Sequence, residues 1–309
     1  MNKRRGFHGG AFARSFAAIP PERFSQTMPS RFISVSPDAT SRWLVGILCS
    51  LWLVVAVALP VTAAELEAVT PDFIVPETVV SAKKGPTIFM IGDSTMADKP
   101  VVPANPERGW GQLLPTYFRE GVRIENHSAN GRSSKSFRDE GRWKTVQSRL
   151  KSGDYVIIQF GHNDEKDKSP DRYTVPYGTF DQNLTRYVED TRKAGAHPIL
   201  ATAIVRRKFN ADGKLEDTHG DYIKSVRELA PKFDVPLLDL NRSSEELVQR
   251  MGPECSKQLY KWTEPGDYPE QKSAFKDDTH LNAFGASRIC DLAIIDLKAK
   301  VPELAKWLK

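Results

Sequence analysis

The chain has 309 residues, 40% of them hydrophobic and 27% charged. This length suits one large domain or two small ones, and the composition excludes a disordered chain. The net charge of +5 is unevenly placed: seven of 44 basic but only two of 39 acidic residues lie in 1–64, leaving 37 of each sign in 65–309. That balance gives no reason to expect nucleic acid as a partner.

Residues 43–59, WLVGILCSLWLVVAVAL, carry no charge and are followed by Pro60 and Val-Thr-Ala-Ala. With arginines before it, this pattern predicts a secretory signal peptide over 1–64, cleaved near Ala63 or Ala64. The region before it is long, and the apolar run slightly exceeds a usual signal core. A start at Met28 would restore an ordinary leader. The alternative is an uncleaved membrane anchor with its basic end in the cytoplasm. Either way the domain is expected outside the cytoplasm, secreted or periplasmic, and touches membrane only if the segment stays. Cys49 lies in the apolar run, and Leu48 before it argues against a lipoprotein cleavage site.

Residues 65–86, with Pro71, Pro76 and Gly85, read as a linker, and a single domain is expected over 87–309. Apolar runs predict strands at Thr87–Ile91, Val122–Asn126, Tyr155–Phe160, His197–Ala203 and Pro236–Leu240. Helical spacing predicts helices at Trp110–Phe118, Arg142–Leu150, Thr179–Ala194, Tyr222–Phe233, Ser243–Met251 and Ala283–Lys300, with Ser243 or Ser244 capping the fifth. Strands that alternate with helices and are nearly continuously apolar imply an α/β fold, a parallel sheet covered on both faces. Five strands suit a doubly wound, flavodoxin-like order, in which ligands bind beyond the carboxyl ends of the strands.

The chemically distinctive residues fall there. Ser94 follows the first strand, in IFMIGDST. NHSANGRSS follows the second, GHND the third, and Arg206, Arg207 and DTHGD the fourth; DDTH precedes the last helix. A serine needs a histidine base, and the base needs a carboxylate to fix its tautomer. His8 precedes the export segment. His197 opens a strand and reads as structural, His127 as a buried ring with a local partner, and His162 as a turn cap. Two candidates remain: His219, between Asp217 and Asp221, and His280, with Asp277 three residues before it. Spacing does not separate them decisively. Gly131 allows close backbone approach, and Asn163 offers a side-chain amide for an oxyanion.

Four blocks in this order, GDS, NGRS, GHND and DDTH, resemble those of the GDSL or SGNH serine hydrolases. The stretches ERGWGQLL, NGRSSKSF, FGHND, RRKFNADGKLEDTHGDY and KWTEPGDYP are similar to the bacterial rhamnogalacturonan acetylesterases over most of 87–300. The resemblance implies a three-layer α/β/α sandwich with Ser94 as nucleophile, His280 as base and Asp277 behind it. It further implies an oxyanion hole of the Ser94 and Gly131 N–H groups with Asn163. The implied reaction is removal of O-acetyl groups from pectic polysaccharide through an acyl-enzyme. Other esterases of the superfamily, of acetylxylan, lipase or thioesterase type, are the alternative. One departure is Thr95, where the family name places leucine.

Arg206, Arg207 and His219 are expected to meet uronate carboxylates, with at least one arginine structural instead. Trp110, Trp143 and Trp262 are candidates for sugar stacking, with core packing expected of at least one. Asp164 and Asp167 read as a turn surface rather than a cation site. No cofactor or metal is expected, since two cysteines and scattered histidines argue against structural zinc. Cys255 and Cys290 either pair or pack separately, and the chain is expected to act as a monomer.

Overall fold

The computed structural model describes residues 85–309; the apolar segment 43–59, Met28, the cleavage site and residues 65–84 lie outside the described residues. Five parallel strands form one sheet: β1 (Thr87–Gly92), β2 (Arg123–Asn126), β3 (Tyr155–Gln159), β4 (His197–Ala201) and β5 (Leu237–Leu238). Their order is β2-β1-β3-β4-β5, the flavodoxin-like winding. The helices are α1 (Trp110–Leu113), α2 (Ser134–Asp139), α3 (Arg142–Gln147), α4 (Thr179–Lys193), α5 (Asp221–Lys232), α6 (Leu240–Cys255), α7 (Ala283–Lys300) and α8 (Pro302–Ala305).

Alternation along the central strands builds the two cores. Ile88, Met90 and Ile157 pack with Trp110, Val248 and Ile289, from α1, α6 and α7. Phe89, Ile91, Val156 and Ile158 pack with Phe137, Phe180, Tyr187 and Val226, from α2, α4 and α5. Both faces of β1 and β3 are therefore covered, which is why Ile88–Ile91 and Val156–Ile158 are apolar without a break. At the end of β1, Gly92 lies so close to β3 that a Cβ would stand 2.7 Å from the Gln159 carbonyl oxygen.

Several elements differ from expectation, each for a local reason. The helix expected over Trp110–Phe118 stops at Leu113 and tightens into a 3₁₀ turn, Leu114–Tyr117, because Pro115 has no N–H to continue the ladder. The expected fifth strand shrinks to two residues. Asp239 rather than Ser243 or Ser244 caps α6, accepting from the Arg242 N–H at 3.5 Å. That helix runs on to Cys255 across a break at Gly252 (φ 71°) before Pro253. The segment after β2, expected as a loop, contains α2. There Ser133 and Ser136 cap each other's backbone N–H groups at 3.1 and 2.9 Å.

The largest addition is an antiparallel hairpin, β6 (Tyr260–Thr263) with β7 (Phe275–Leu281). Cys255 and Cys290 are separate free thiols; Cys255 is exposed and Cys290 buried.

Candidate active site

The turn after β1 presents Ser94. Asp93 is fully buried beneath it and organises the turn. The Met96 and Ala97 N–H groups donate to the Asp93 carbonyl at 3.2 and 3.0 Å. The Thr95 N–H and hydroxyl both donate to Asp93 Oδ1, at 2.9 and 2.8 Å. Burial works against the Asp93 charge, but nearby His162 and the two Thr95 bonds outweigh it and bring its pKa down to about 2. Thr95 is itself buried, so its hydroxyl serves the turn and not the solvent.

On β7, His280 and Asp277 face one way. They sit on a strand, and a tight Asp277-centred turn brings them together. Asp277 Oδ1 accepts from the Thr279 and His280 N–H groups at 2.8 and 3.0 Å. Its Oδ2 accepts from His280 Nδ1 at 2.7 Å, and His280 Nε2 accepts from the Ser94 hydroxyl at 2.9 Å. Partial burial opposes the Asp277 charge, yet these three bonds hold the carboxyl well below its ordinary range. The assignment of donors follows from chemistry: an ionised carboxylate only accepts, so Nδ1 carries the proton and Nε2 is free to take one. This line of hydroxyl, imidazole and carboxylate can activate an oxygen nucleophile.

Gly131 and Asn163 come together beside it. Asn163 Nδ2 donates to the Arg132 carbonyl at 3.1 Å, which ties it to the residue after Gly131. Gly131 has φ +75°, a conformation open to glycine at little cost. Among the described residues, neither the Ser94 nor the Gly131 backbone N–H has a protein acceptor. Two free N–H groups and a buried amide are the donor types an oxyanion requires. Asp164 clamps this arrangement: it accepts from the Ser134 N–H at 3.0 Å, the Ser134 hydroxyl at 2.5 Å and the Thr174 hydroxyl at 3.0 Å. It is a buried anchor, not a turn surface, whereas Asp167 is exposed.

The other expected residues lie elsewhere. Both ring nitrogens of buried His219 are occupied, Nδ1 by Glu165 at 3.0 Å and Nε2 by the Ile204 carbonyl at 3.0 Å. None is left for Ser94 or a uronate. Arg207 is also buried: it donates to Asp278 Oδ1 and the Pro253 carbonyl at 2.7 Å each and stacks on Trp262 at 4.7 Å. Arg206 is half-buried and paired with Glu165. Of the tryptophans, Trp110 and Trp143 are core residues, with Nε1 donating to Gln159 and Asp190 at 2.9 and 2.8 Å. Trp262 is half-buried beneath Arg207 and Lys257.

His162 is no turn cap. Its ring is buried 3.4 Å from Asp93 Oδ2, with no hydrogen-bond partner on either nitrogen, and burial keeps it neutral by lowering its pKa to about 4. His127 does have its local partner, Glu125 at 3.0 Å, but its ring is half-buried rather than buried.

Sequence reasoning missed Lys99 and Glu107. Lys99 is buried, paired with Glu107 at 2.6 Å and bonded to Asn130 beside Gly131. Arg108, the next residue, donates its N–H to the Leu281 carbonyl at 2.9 Å. The pair therefore joins the serine turn, the glycine loop and the histidine strand. Glu107 stood in ERGWGQLL as a visible signal; Lys99 had none. A cavity of about 1070 Å³ lies around Thr87, Arg123 and Tyr155 at the opposite, amino ends of the strands. We place the chemistry at the carboxyl ends, where the hydrogen-bonded side chains converge.

The GDSL-like lipase/acylhydrolase family model matches residues 90–288. Rhamnogalacturonan acetylesterase RhgT of Bacillus subtilis (strain 168) is 40% identical over 210 residues, covering 68% of this chain and 88% of its own. The crystal structure of YxiM from Bacillus subtilis is 28% identical with a TM-score of 0.60, over 70% of this chain and 57% of that longer one. The fold alone is shared with Axe2, an acetylxylan esterase from Geobacillus stearothermophilus, at 16% identity and a TM-score of 0.51, over 72% of this chain and 96% of that one. The chain is thus an esterase of the GDSL-like lipase/acylhydrolase family, on the branch that holds the rhamnogalacturonan acetylesterases.

Proposed function

We propose that this protein removes O-acetyl groups from pectic polysaccharide of the rhamnogalacturonan type, with Ser94 as nucleophile. The observation that carries the chemistry is the unbroken line from the Ser94 hydroxyl through His280 to Asp277, at 2.9 and 2.7 Å. The substrate class rests on the 40% identity to RhgT across most of both chains.

The geometry supports the following steps. His280 Nε2 takes the Ser94 proton as Oγ attacks the acetyl carbonyl. Charge develops on the carbonyl oxygen, facing the Ser94 and Gly131 N–H groups and the Asn163 amide. Asp277 stabilises the imidazolium across the 2.7 Å bond. His280 then returns the proton to the departing sugar hydroxyl, leaving acetyl on Ser94. Water, deprotonated by His280, attacks the acetyl-enzyme and releases acetate. The apolar segment before the domain supports action outside the cytoplasm, where plant polymers are met.

The test is acetate release from acetylated rhamnogalacturonan, acetylated xylan and long-chain aryl esters, with Ser94→Ala as control. The pectic polymer is expected to be the best substrate. Preference for the xylan would move the assignment to an acetylxylan esterase, and preference for long chains to a lipase. Mass spectrometry of the mature amino terminus tests export: a start near residue 65 supports cleavage, and an intact leader supports an anchor.

A further inference from the structure

Arg207 and His219 are consumed by protein partners, which leaves open what meets the acid groups of a pectic chain. The charged groups around GHND answer it. Arg206 is paired with Glu165, and Arg132 with Glu140 at 3.0 Å. Two cations remain. Among the described residues, nothing accepts a hydrogen bond from the Lys166 ammonium, and Lys166 is exposed. It stands on the Asn163 turn, its N–H donating to the Asn163 carbonyl at 3.3 Å.

Arg172 reaches the same place from the following loop. Its Nη1 points at Asn163 Oδ1 at 3.5 Å, and Nη2 donates to Ser169 at 2.9 Å. Nη1 also lies 3.9 Å from where a Gly131 Cβ would stand. Its Nε is buried without a hydrogen-bond partner, and its one acidic neighbour, exposed Asp171, stays 3.9 Å away. Partial burial and the crowding of Arg172 and Arg206 together hold the Lys166 pKa below its ordinary value. Two positive side chains thus stand together, short of acidic partners, beside two of the three proposed oxyanion donors, Gly131 and Asn163.

We propose that Lys166 and Arg172 bind the carboxylate of a uronic acid neighbouring the acetylated sugar, a site that rests on the acetylesterase reading above. The guanidinium supplies a planar pair of donors and the ammonium a point charge, the usual division for carboxylate recognition. Arg172 does a second thing at once: it fixes which way the Asn163 amide faces. A uronate seated there would register the neighbouring acetyl group over Ser94.

The test compares kcat/KM on acetylated rhamnogalacturonan with kcat/KM on acetylated xylan lacking uronic acid, for wild type, Lys166→Gln and Lys166→Arg. The acidic-to-neutral ratio is expected to fall about tenfold in Lys166→Gln, through KM, and to return to within about twofold in Lys166→Arg. In a Ser94→Ala background, calorimetry with deacetylated rhamnogalacturonan oligosaccharide is expected to show Kd weakened about tenfold by Lys166→Gln. An unchanged ratio and Kd in Lys166→Gln, with wild type still preferring the acidic polymer, would overturn the site while leaving the acetylesterase reading intact. An equal fall on both polymers would also overturn it, as a structural effect. Equal wild-type activity on both polymers would instead sink the pectic reading, and the site with it.

Discussion

Two of the histidine–carboxylate pairs lie beyond the carboxyl ends of the sheet strands, one on β7 and one on the loops after β3 and β4. His280 with Asp277 is partly open to solvent, and its second nitrogen reaches Ser94 at 2.9 Å. His219 with Glu165 has a similar carboxylate contact, 3.0 Å, but its second nitrogen is spent on the Ile204 carbonyl, also at 3.0 Å. A carboxylate partner alone does not make a base. The distinguishing feature is a second nitrogen left facing a nucleophile. On the proposed mechanism the open pair serves turnover, and the other ties the GHND loop to the fourth strand's loop.

That contrast can be broken at either pair. His280→Ala is expected to lower kcat about 10⁵-fold and Asp277→Asn about 10⁴-fold, with little change in Tm; steady-state acetate release checks both. Behind the closed pair, burial raises the Asp164 pKa to about 7 against the opposing Ser134 and Thr174 bonds. The folded state then holds a proton that the unfolded chain has lost above the ordinary carboxyl value of 3.8. Stability is therefore expected to fall as pH rises from about 4 to about 7, by roughly 4 kcal/mol at most. Urea unfolding across that range checks the slope, and Asp164→Asn is expected to flatten it.

His219→Gln should do the reverse of His280→Ala. It is expected to cost about 2 kcal/mol of stability by leaving Glu165 with one partner fewer, while kcat stays within about threefold. A kcat loss comparable with that of His280→Ala would show that the two pairs are not functionally distinct. The smallest effect is expected from Thr95→Val, about 1 kcal/mol, because it removes one hydroxyl bond to Asp93 and keeps the backbone one. Thermal unfolding reads that difference.

The sheet was legible in the sequence because β1 and β3 are covered on both faces, and double burial writes an unbroken apolar run. The hairpin was not. Phe275-Lys-Asp-Asp-Thr-His-Leu281 reads as polar loop because the strand carries site residues, and its pairing partner Tyr260–Thr263 is only four residues long. At the site, Ser94, Gly131, Asn163, Asp277 and His280 were nameable because each belongs to a short block in a set order. Arg207 and His219 were misplaced because a sequence shows a charged group but not what already occupies it. Asp278 and Trp262 hold the arginine; Glu165 and the Ile204 carbonyl hold the histidine. Lys166 and Arg172 escaped notice for the matching reason: their lack of acidic partners is visible only in three dimensions.

The central claim is that acetyl passes through Ser94. Rapid quenching during turnover of an acetylated rhamnogalacturonan oligosaccharide, followed by peptide mass mapping, tests it directly. The expected result is a transient acetyl group on Ser94 in wild type, with neither adduct nor acetate release in Ser94→Ala. Acetate release that persists in Ser94→Ala, or an acetyl group carried by another residue, would contradict the account.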